Sequence, residues 1–324
     1  MNNRVLTYIE VNNGVVARVS KEIISHAKQN FLQSRIDGIV LGDEQSIDSA
    51  LFELKQLGLN KLYIIKDNLL DMTNAKVYAN ALSVFLENNQ YDVLLMGATS
   101  DGRDIAPRLA SKLDIGLTAD CTGLEIDENA NLLATRPTYG GQLMATIVSK
   151  TKPNFATVRP RAFKYLQQNC NNETEIEYFS LSFDGLCSLL EVLYSENKPA
   201  AEDWTCSEII VAGGLGLQNK ENFNLIYKLA DLLGAKPAAS RAAVEQGWAE
   251  QSIQVGQTGN SVSPKLYIAF GISGAMQHMT GITNADKIVA ININKDAPIM
   301  SGADIAIECD AVSLLHTLIG KLSD

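Results

Sequence analysis

Short apolar runs alternate with helix-period segments along the first hundred residues, and few folds accommodate that alternation. Val5 to Val11, Gly38 to Leu41, Lys61 to Ile65 and Val93 to Met96 are short and rich in β-branched residues, as strands are. Between them, Ser20 to Ser34, Ser46 to Leu57 and Ala75 to Asn88 place apolar side chains at helical spacing. Strands separated by helices cannot pair as hairpins, so this half is expected to be a parallel sheet with helices on both faces.

Met96 runs into the polar turn Gly97 to Asp104 and a helix at Ile105 to Leu113. Such a turn is either a ligand edge of a parallel sheet or a plain helix entry capped by Ser100 or Asp101. From Gly116 the pattern becomes strand-rich, through Thr118 to Cys121, Leu132 to Arg136, Gln142 to Val148 and Phe155 to Val158, and is expected to close the first sheet. Arg136-Pro137 and Arg159-Pro160-Arg161 read as surface or interface turns, and Glu175 to Phe179 as a further strand candidate. Ser195 to Asp203 has the polar, proline-containing composition of a linker. At 324 residues, 46% of them hydrophobic, two domains are expected, residues 1–200 and 201–324.

A net charge of −10 argues against a nucleic-acid partner, which needs a basic face. No stretch reaches the ~20 apolar residues of a membrane span, and an apparent strand begins almost at the amino terminus, so neither membrane insertion nor a leader is expected. Cys121, Cys170, Cys187, Cys206 and Cys309 are odd in number, widely spaced and without a CxxC pair. They read as reduced thiols of a cytoplasmic protein, and with 3 histidines no structural metal site is expected.

The second half carries the chemistry. Ile209 to Ala212 is a short buried strand, followed by Gly213-Gly214-Leu215-Gly216-Leu217 and a helix at Lys220 to Leu233. Strand, glycine turn and helix suit a phosphate, but Asn219 stands where a third fingerprint glycine would be, and no Gly-Lys-Ser/Thr follows.

Three further polar turns separate apolar stretches, the second and third of them containing glycine. Ser240-Arg241 follows the strand candidate Lys236 to Ala239; an arginine there either faces a bulky ring among small alanines or pairs with surface acid. Gln254, Gln257 and Thr258 bracket Gly256 and Gly259, offering uncharged donors and acceptors suited to the N5, O4 and N3 edge of an isoalloxazine. Gly271-Ile272-Ser273-Gly274 ends the strand Ile268 to Phe270 and opens a helix bearing Gln277 and His278, where Ser273 and the helix start suit a pyrophosphate. His278 is either a ligand contact or a satisfied packing residue. Asn292 and Asp310 fall at the carboxyl ends of strands Lys287 to Ile291 and Asp304 to Ile307; both suit a ribose or adenine, and Asp310 equally suits a helix cap.

Together these strings resemble the alpha subunit of electron transfer flavoprotein, densely from Val211 to Leu322. The likeness continues through Gly97-Ala98-Thr99, Gly102-Arg103-Asp104, Gly116 to Cys121, Arg136-Pro137 and Thr157 to Pro160. The resemblance implies two α/β domains, each a mainly parallel sheet flanked by helices, with FAD in a Rossmann-like carboxyl-terminal domain and a beta subunit completing a heterodimer. It implies cofactor contacts at Leu215, Ser240 and Arg241, the last beside the isoalloxazine. In the next turn it implies Gln254, Val255, Gly256, Gln257, Thr258 and Gly259, with Gln257 and Thr258 near N5 and O4. Ser273, Gly274, Ala275, Met276 and Gln277 would serve the pyrophosphate and ribityl chain, His278 would donate near O2, and Asn292, Asp310 and Ala311 would lie toward the adenosine.

Two departures stand out. Leu215 replaces the arginine that most relatives carry in a Gly-Gly-Arg-Gly turn, and Asn294 and Lys295 occupy positions where aspartate and proline are common.

The function implied is electron carriage between an acyl-CoA-dehydrogenase-type partner and a second acceptor, with Arg241 and His278 favouring the reduced ring and no covalent chemistry on a substrate. Some relatives bifurcate electrons, using NADH and a second flavin to reduce ferredoxin or flavodoxin. A non-redox nucleotide-binding scaffold is the alternative that Leu215 favours. A nicotinamide dehydrogenase is disfavoured by the incomplete glycine fingerprint and the lack of an acid–base residue beyond His278.

Overall fold

The computed structural model describes residues 3–70, 74–139, 143–166, 174–181, 204–282 and 285–323. The chain divides into two compact units, one of residues 1–138 and 143–196, the other of residues 139–142 and 197–324. The expected linker, Ser195 to Asp203, and the expected boundary after residue 200 lie outside the described residues.

In the first unit, β1 (Arg4–Ile9), β2 (Val11–Asn12) and β3 (Val15–Val16) lead to α1 (Arg18–Asn30). Then β4 (Arg35–Gly42), α2 (Glu44–Lys55), β5 (Lys61–Lys66), α3 (Ala75–Asn88), β6 (Val93–Gly97) and α4 (Ser100–Leu113) alternate as the sequence predicts. β7 (Leu117–Cys121), β8 (Gly123–Ile126), β9 (Leu132–Thr138), β10 (Leu143–Val148), β11 (Asn154–Val158) and β12 (Glu175–Tyr178) follow. Seven of these strands form a parallel sheet in the order β12-β5-β4-β1-β6-β11-β7. On β1, Val5 and Ile9 enter the core on one face while Leu6 and Tyr8 enter the core on the other. A strand buried on both faces reads as an unbroken apolar run, which is why these segments were legible.

Two expectations change in detail. The stretch after Gly116 does not all close the sheet: β7 and β11 extend it, whereas β8, β9 and β10 form a separate antiparallel meander. Its tight turn is set by Asp127, whose Oδ1 accepts from the N–H groups of Asn129 and Asn131 at 2.9 and 2.8 Å, and a turn that short permits only antiparallel pairing. The cap of α4 is Thr99, not Ser100 or Asp101. Thr99 Oγ1 accepts from Gly102 N–H at 3.0 Å and donates to buried Glu10 at 2.6 Å, so the residue that satisfies both groups takes the cap.

The second unit runs β13 (Ile209–Gly213), α5 (Lys220–Leu233), β14 (Lys236–Ala239), α6 (Arg241–Glu245), β15 (Leu266–Phe270), α7 (Met276–Met279), β16 (Lys287–Asn292), α8 (Pro298–Gly302), β17 (Ile305–Glu308) and α9 (Ala311–Ser323). Its strands are parallel throughout, in the order β14-β13-β15-β16-β17. Phe223, Ile226 and Leu229 of α5 and Leu315 of α9 cover one face; Ile299 and Met300 of α8 cover the other.

Successive strands therefore build outward from β13 in both directions. The order reverses between β13 and β15, and the carboxyl ends of a parallel sheet part at that switch point to leave a crevice.

Candidate functional site

A cavity of about 650 Å³ opens at the switch point, lined by the ends of β13, β14, β15 and β16 and by the turn that follows α6. That size lies within the roughly 300–1,000 Å³ typical of cofactor sites. The structure brings to its wall Leu215, Ser240, Arg241, Gln254, Val255, Gly256, Gln257, Thr258, Ser273, Ala275, Gln277, His278 and Asn292, residues over 70 positions apart in sequence.

The glycine turn after β13 brings two backbone loops into contact. It enters a short 3-10 turn, Leu215 to Leu217, before α5 begins with Asn219 as its cap. A Cβ on Gly214 would fall 2.4 Å from the Gly271 carbonyl oxygen, and one on Gly216 would fall 2.7 Å from Gly271 Cα. The glycines let two backbone loops touch, and that contact forms the floor of the crevice. Leu215, between them, is exposed toward the cavity and gives this wall an apolar side chain.

Arg241 is the first residue of α6, behind the cap Ser240, whose Oγ accepts from Ala243 N–H at 3.4 Å. The arginine lines the cavity, and it makes the expected pair with an acid: its Nε donates to Glu245 at 2.8 Å, with the side chain 66% exposed. Glu245 also lines the cavity and was not foreseen, although its position four residues after Arg241 on a short helix was a usable signal.

The turn after α6 is tied internally. Gln254 is buried and donates from Nε2 to Thr258 Oγ1 at 3.1 Å, which leaves the threonine O–H free to donate; Gln257 N–H bonds the Gln277 carbonyl at 2.7 Å. Gln254 thus positions Thr258. Gly259 lies behind this turn, against the Gln254 carbonyl, and is not on the cavity wall.

Past β15 the expected helix is a single turn, α7, with Ala275 at its start. Four residues sum to little dipole, so anion binding there rests on individual N–H groups and the exposed Ser273 hydroxyl. Gly274 and Met276 do not line the cavity; Gly274, with φ of +78°, packs against Ile299 of α8.

His278 is 7% exposed. Its Nδ1 lies 3.1 Å from the Val255 carbonyl and its Nε2 lies 2.9 Å from the Tyr267 hydroxyl. Burial pushes its pKa down to about 4, against the smaller opposing pull of the Val255 carbonyl. A carbonyl only accepts, so Nδ1 carries the proton and the neutral ring accepts from Tyr267 through Nε2. Both nitrogens of His278 meet partners inside the protein, which weighs against the expectation that the ring donates into the cavity.

Asn292 donates to the Ile272 carbonyl at 2.9 Å and accepts from Asn294 N–H at 2.9 Å, which fixes the β16 end against the β15 loop. Asp310 accepts from Ser313 N–H at 2.9 Å and from Ser313 Oγ at 2.7 Å, and these bonds hold its carboxyl below the usual range. It caps α9, buried Ala311 follows it, and neither lines the cavity. Asp310→Ala is expected to destabilise the second unit by about 1 kcal/mol in denaturant unfolding, while FAD affinity stays within about twofold of wild type. A larger loss of affinity than of stability would show that Asp310 contacts the cofactor as well as capping α9.

Among the described residues no cluster of three or more His, Cys, Asp or Glu is poised for a metal, and no helix is long and apolar enough to cross a membrane.

Comparison with known proteins agrees with this two-unit α/β fold. Residues 5–184 match the electron transfer flavoprotein domain, and residues 203–283 match the electron transfer flavoprotein FAD-binding domain. The chain is 39% identical to the electron transfer flavoprotein subunit alpha of Thermoanaerobacterium thermosaccharolyticum, over 97% of this chain and 96% of that protein. It is 38% identical to protein FixB of Bradyrhizobium diazoefficiens, over 97% and 87%. It is 33% identical to the lactate dehydrogenase (NAD(+),ferredoxin) subunit LctC of Acetobacterium woodii, over 97% and 76%.

The residues present fit FAD. Leu215, Val255, Ile272 and Ala297 offer apolar surface for ring faces, Ser273 and Thr258 offer hydroxyls, and Gln257, Gln277 and Asn294 offer amides for ring edges and ribityl oxygens. The wall carries one cation, Arg241, and one acid, Glu245, which pair with each other, so no uncompensated carboxylate opposes a pyrophosphate. On its fold, its FAD-binding domain and its identity over nearly full length, this chain belongs to the electron transfer flavoprotein alpha subunit and FixB family.

Proposed function

We propose that the chain holds FAD in the switch-point cavity of its second unit, pairs with a beta subunit, and carries electrons between an acyl-CoA-dehydrogenase-type partner and a second acceptor. The observation that supports this most is the cavity wall itself, where amides and hydroxyls from three strand ends and the turn after α6 converge on one crevice beside a single paired cation. Bound FAD supplies the one- and two-electron redox chemistry. The protein's own residues bind and orient it: Thr258, set by Gln254, and Gln257 serve the ring edge; Ser273 and Gln277 serve the chain between ring and adenosine; Arg241 supplies positive charge at the wall.

The test is an absorption spectrum of the chain co-expressed with its beta subunit. Two flavin bands that bleach on stepwise reduction support the carrier. A colourless protein that cannot be reconstituted with FAD moves the reading to a nucleotide-binding scaffold.

A second reading, electron bifurcation, is favoured by the likeness to a subunit whose name includes NAD(+) and ferredoxin. In that reading ferredoxin or flavodoxin is the low-potential acceptor. A second flavin per heterodimer, reducible by NADH, is the result that supports it; one flavin, inert to NADH, removes it.

Arg241 gives a quantitative check. An exposed cation already paired with a carboxylate contributes about 1 kcal/mol to a negative charge arising beside it, or about 40 mV for one electron. Arg241→Ala should therefore lower the midpoint potential of the bound FAD by about that amount, and Glu245→Gln, which frees the arginine, should raise it. Unchanged redox titrations in both variants would take the pair out of this role.

A further inference from the structure

The most constrained polar group in the second unit is not on the cavity surface but directly behind it. Tyr267 is the second residue of β15, paired in register with Ile210 on one side and Ile288 on the other, and is 0% exposed. Its ring packs among Val255, Val262 and Ile272, and its hydroxyl reaches His278 Nε2 at 2.9 Å. The two rings stand 6.1 Å apart, tilted by 56°. Burial raises the phenol's pKa well above its ordinary value, so the O–H stays available to donate. On the far side of the imidazole, Nδ1 meets the carbonyl of Val255, a residue of the cavity turn.

We propose that Tyr267 is a positioning residue for the FAD site: through His278 it links the central strand β15, the α7 turn and the Val255 carbonyl, and it holds the imidazole in the Nδ1–H tautomer. The chain of donors runs in one direction, from Tyr267 O–H to Nε2 and from Nδ1–H to the carbonyl. Reversing it would put two acceptors face to face at Val255. His278 therefore presents a neutral edge to the cavity, and Arg241 supplies the positive charge there.

Other groups near the ring do not substitute for this constraint. Among the residues lining the cavity, the charged side chains are Arg241 and Glu245, which bond to each other, and Tyr267 is the titratable group in direct contact with the imidazole. A phenylalanine at 267 would fill the same space without the donor. Nε2 would then lose the bond that favours its unprotonated form, and the ring would take up a proton more readily.

The test uses the full-length chain labelled with 15N-histidine, with and without saturating FAD, and two-dimensional proton–nitrogen spectra from pH 7.5 to 4.5. The His278 signals are assigned by their loss in His278→Asn. Expected in the wild type are a protonated Nδ1, an unprotonated hydrogen-bonded Nε2, and no titration midpoint within the range. In Tyr267→Phe the Nε2 signal should move toward that of a free acceptor, and the ring should protonate about one pH unit higher, a tenfold gain in proton affinity. A wild-type ring protonated on Nε2 overturns the proposal, and that reading needs no variant to fold. So does a Tyr267→Phe variant whose Nε2 signal and titration match wild type.

A second readout rests on the proposed function. In the FAD-loaded chain, the midpoint potential should show no inflection with pH between 4.5 and 7.5 in wild type and should gain one, at about pH 5, in Tyr267→Phe. If the chain holds no FAD, this arm fails while the nitrogen spectra still decide the tautomer, so the two failures are distinguishable.

Discussion

Gly214→Ala is expected to destabilise the second unit by roughly 3 kcal/mol and to reduce FAD retention with it. The added methyl would sit 2.4 Å from the Gly271 carbonyl oxygen and 2.8 Å from Ile272 Cα. Both are backbone atoms, so no side chain can rotate away, and the β13 and β15 loops must part. Parting strains two bonds that close the floor of the crevice, Gly214 N–H to the Phe270 carbonyl at 2.9 Å and Gly216 N–H to the Gly271 carbonyl at 2.9 Å.

Overpacking against an unyielding neighbour costs about 1–3 kcal/mol and each weakened backbone bond about 1 more. That is a large share of the 5–15 kcal/mol by which domains are ordinarily stable. The chain has 2 tryptophans, Trp204 and Trp248, and both fall in the second unit, so intrinsic fluorescence during denaturant unfolding reports on it selectively. Gly302→Ala is the control, since a Cβ there meets nothing within 4 Å and should leave the midpoint unchanged. Equal midpoints for Gly214→Ala and wild type would show that the loop contact is not what holds the crevice.

The reasons some features were legible in the sequence and others were not are physical. α3 and α5 were predicted at Ala75 to Asn88 and Lys220 to Leu233, the bounds found, because an amphipathic period ends at clear polar signals. The site was legible as three convergent turns because parallel strands all end at one edge, so polar residues after successive apolar runs must share a crevice.

What was hidden were partners. Nothing local distinguishes a glycine needed for a pyrophosphate from one needed for another loop, and Gly214 and Gly216 both touch the loop at Gly271. Asp310 read equally as adenosine contact and as cap, and its bonds to Ser313 establish the cap. Tyr267 lies within the apolar run Leu266 to Phe270 and looks like core by every pattern; only the fold brings its hydroxyl to His278. The meander β8 to β10 was mistaken for part of the first sheet because strand propensity does not reveal the partner strand.

The stability of the second unit is expected to fall by about 3 kcal/mol as pH drops from 6.5 to 4, and His278 is the cause. Its pKa is held at about 4 by burial, below the 6.5 it takes in the unfolded chain. Above pH 6.5 both states are neutral at this ring and nothing is lost. Between 6.5 and 4 the unfolded chain binds a proton that the folded ring refuses, so each pH unit costs the folded state about 1.4 kcal/mol. Below pH 4 both states are protonated and the loss is complete. The carboxylates of this unit with lowered pKa act in the same direction but later: Asp304, held down by Lys287, and Asp310, held down by Ser313, contribute stability that is present above their ordinary 3.8 and lost below it. The window from pH 6.5 to 4.5 therefore isolates the histidine. Tryptophan-monitored unfolding at pH 7 and pH 4.5 should show most of the loss in wild type, whereas His278→Asn, less stable at pH 7 but without the titrating ring, should lose far less over the same interval. Parallel losses in the two proteins would place the acid sensitivity elsewhere and would mean that the imidazole between Tyr267 and Val255 is not held neutral.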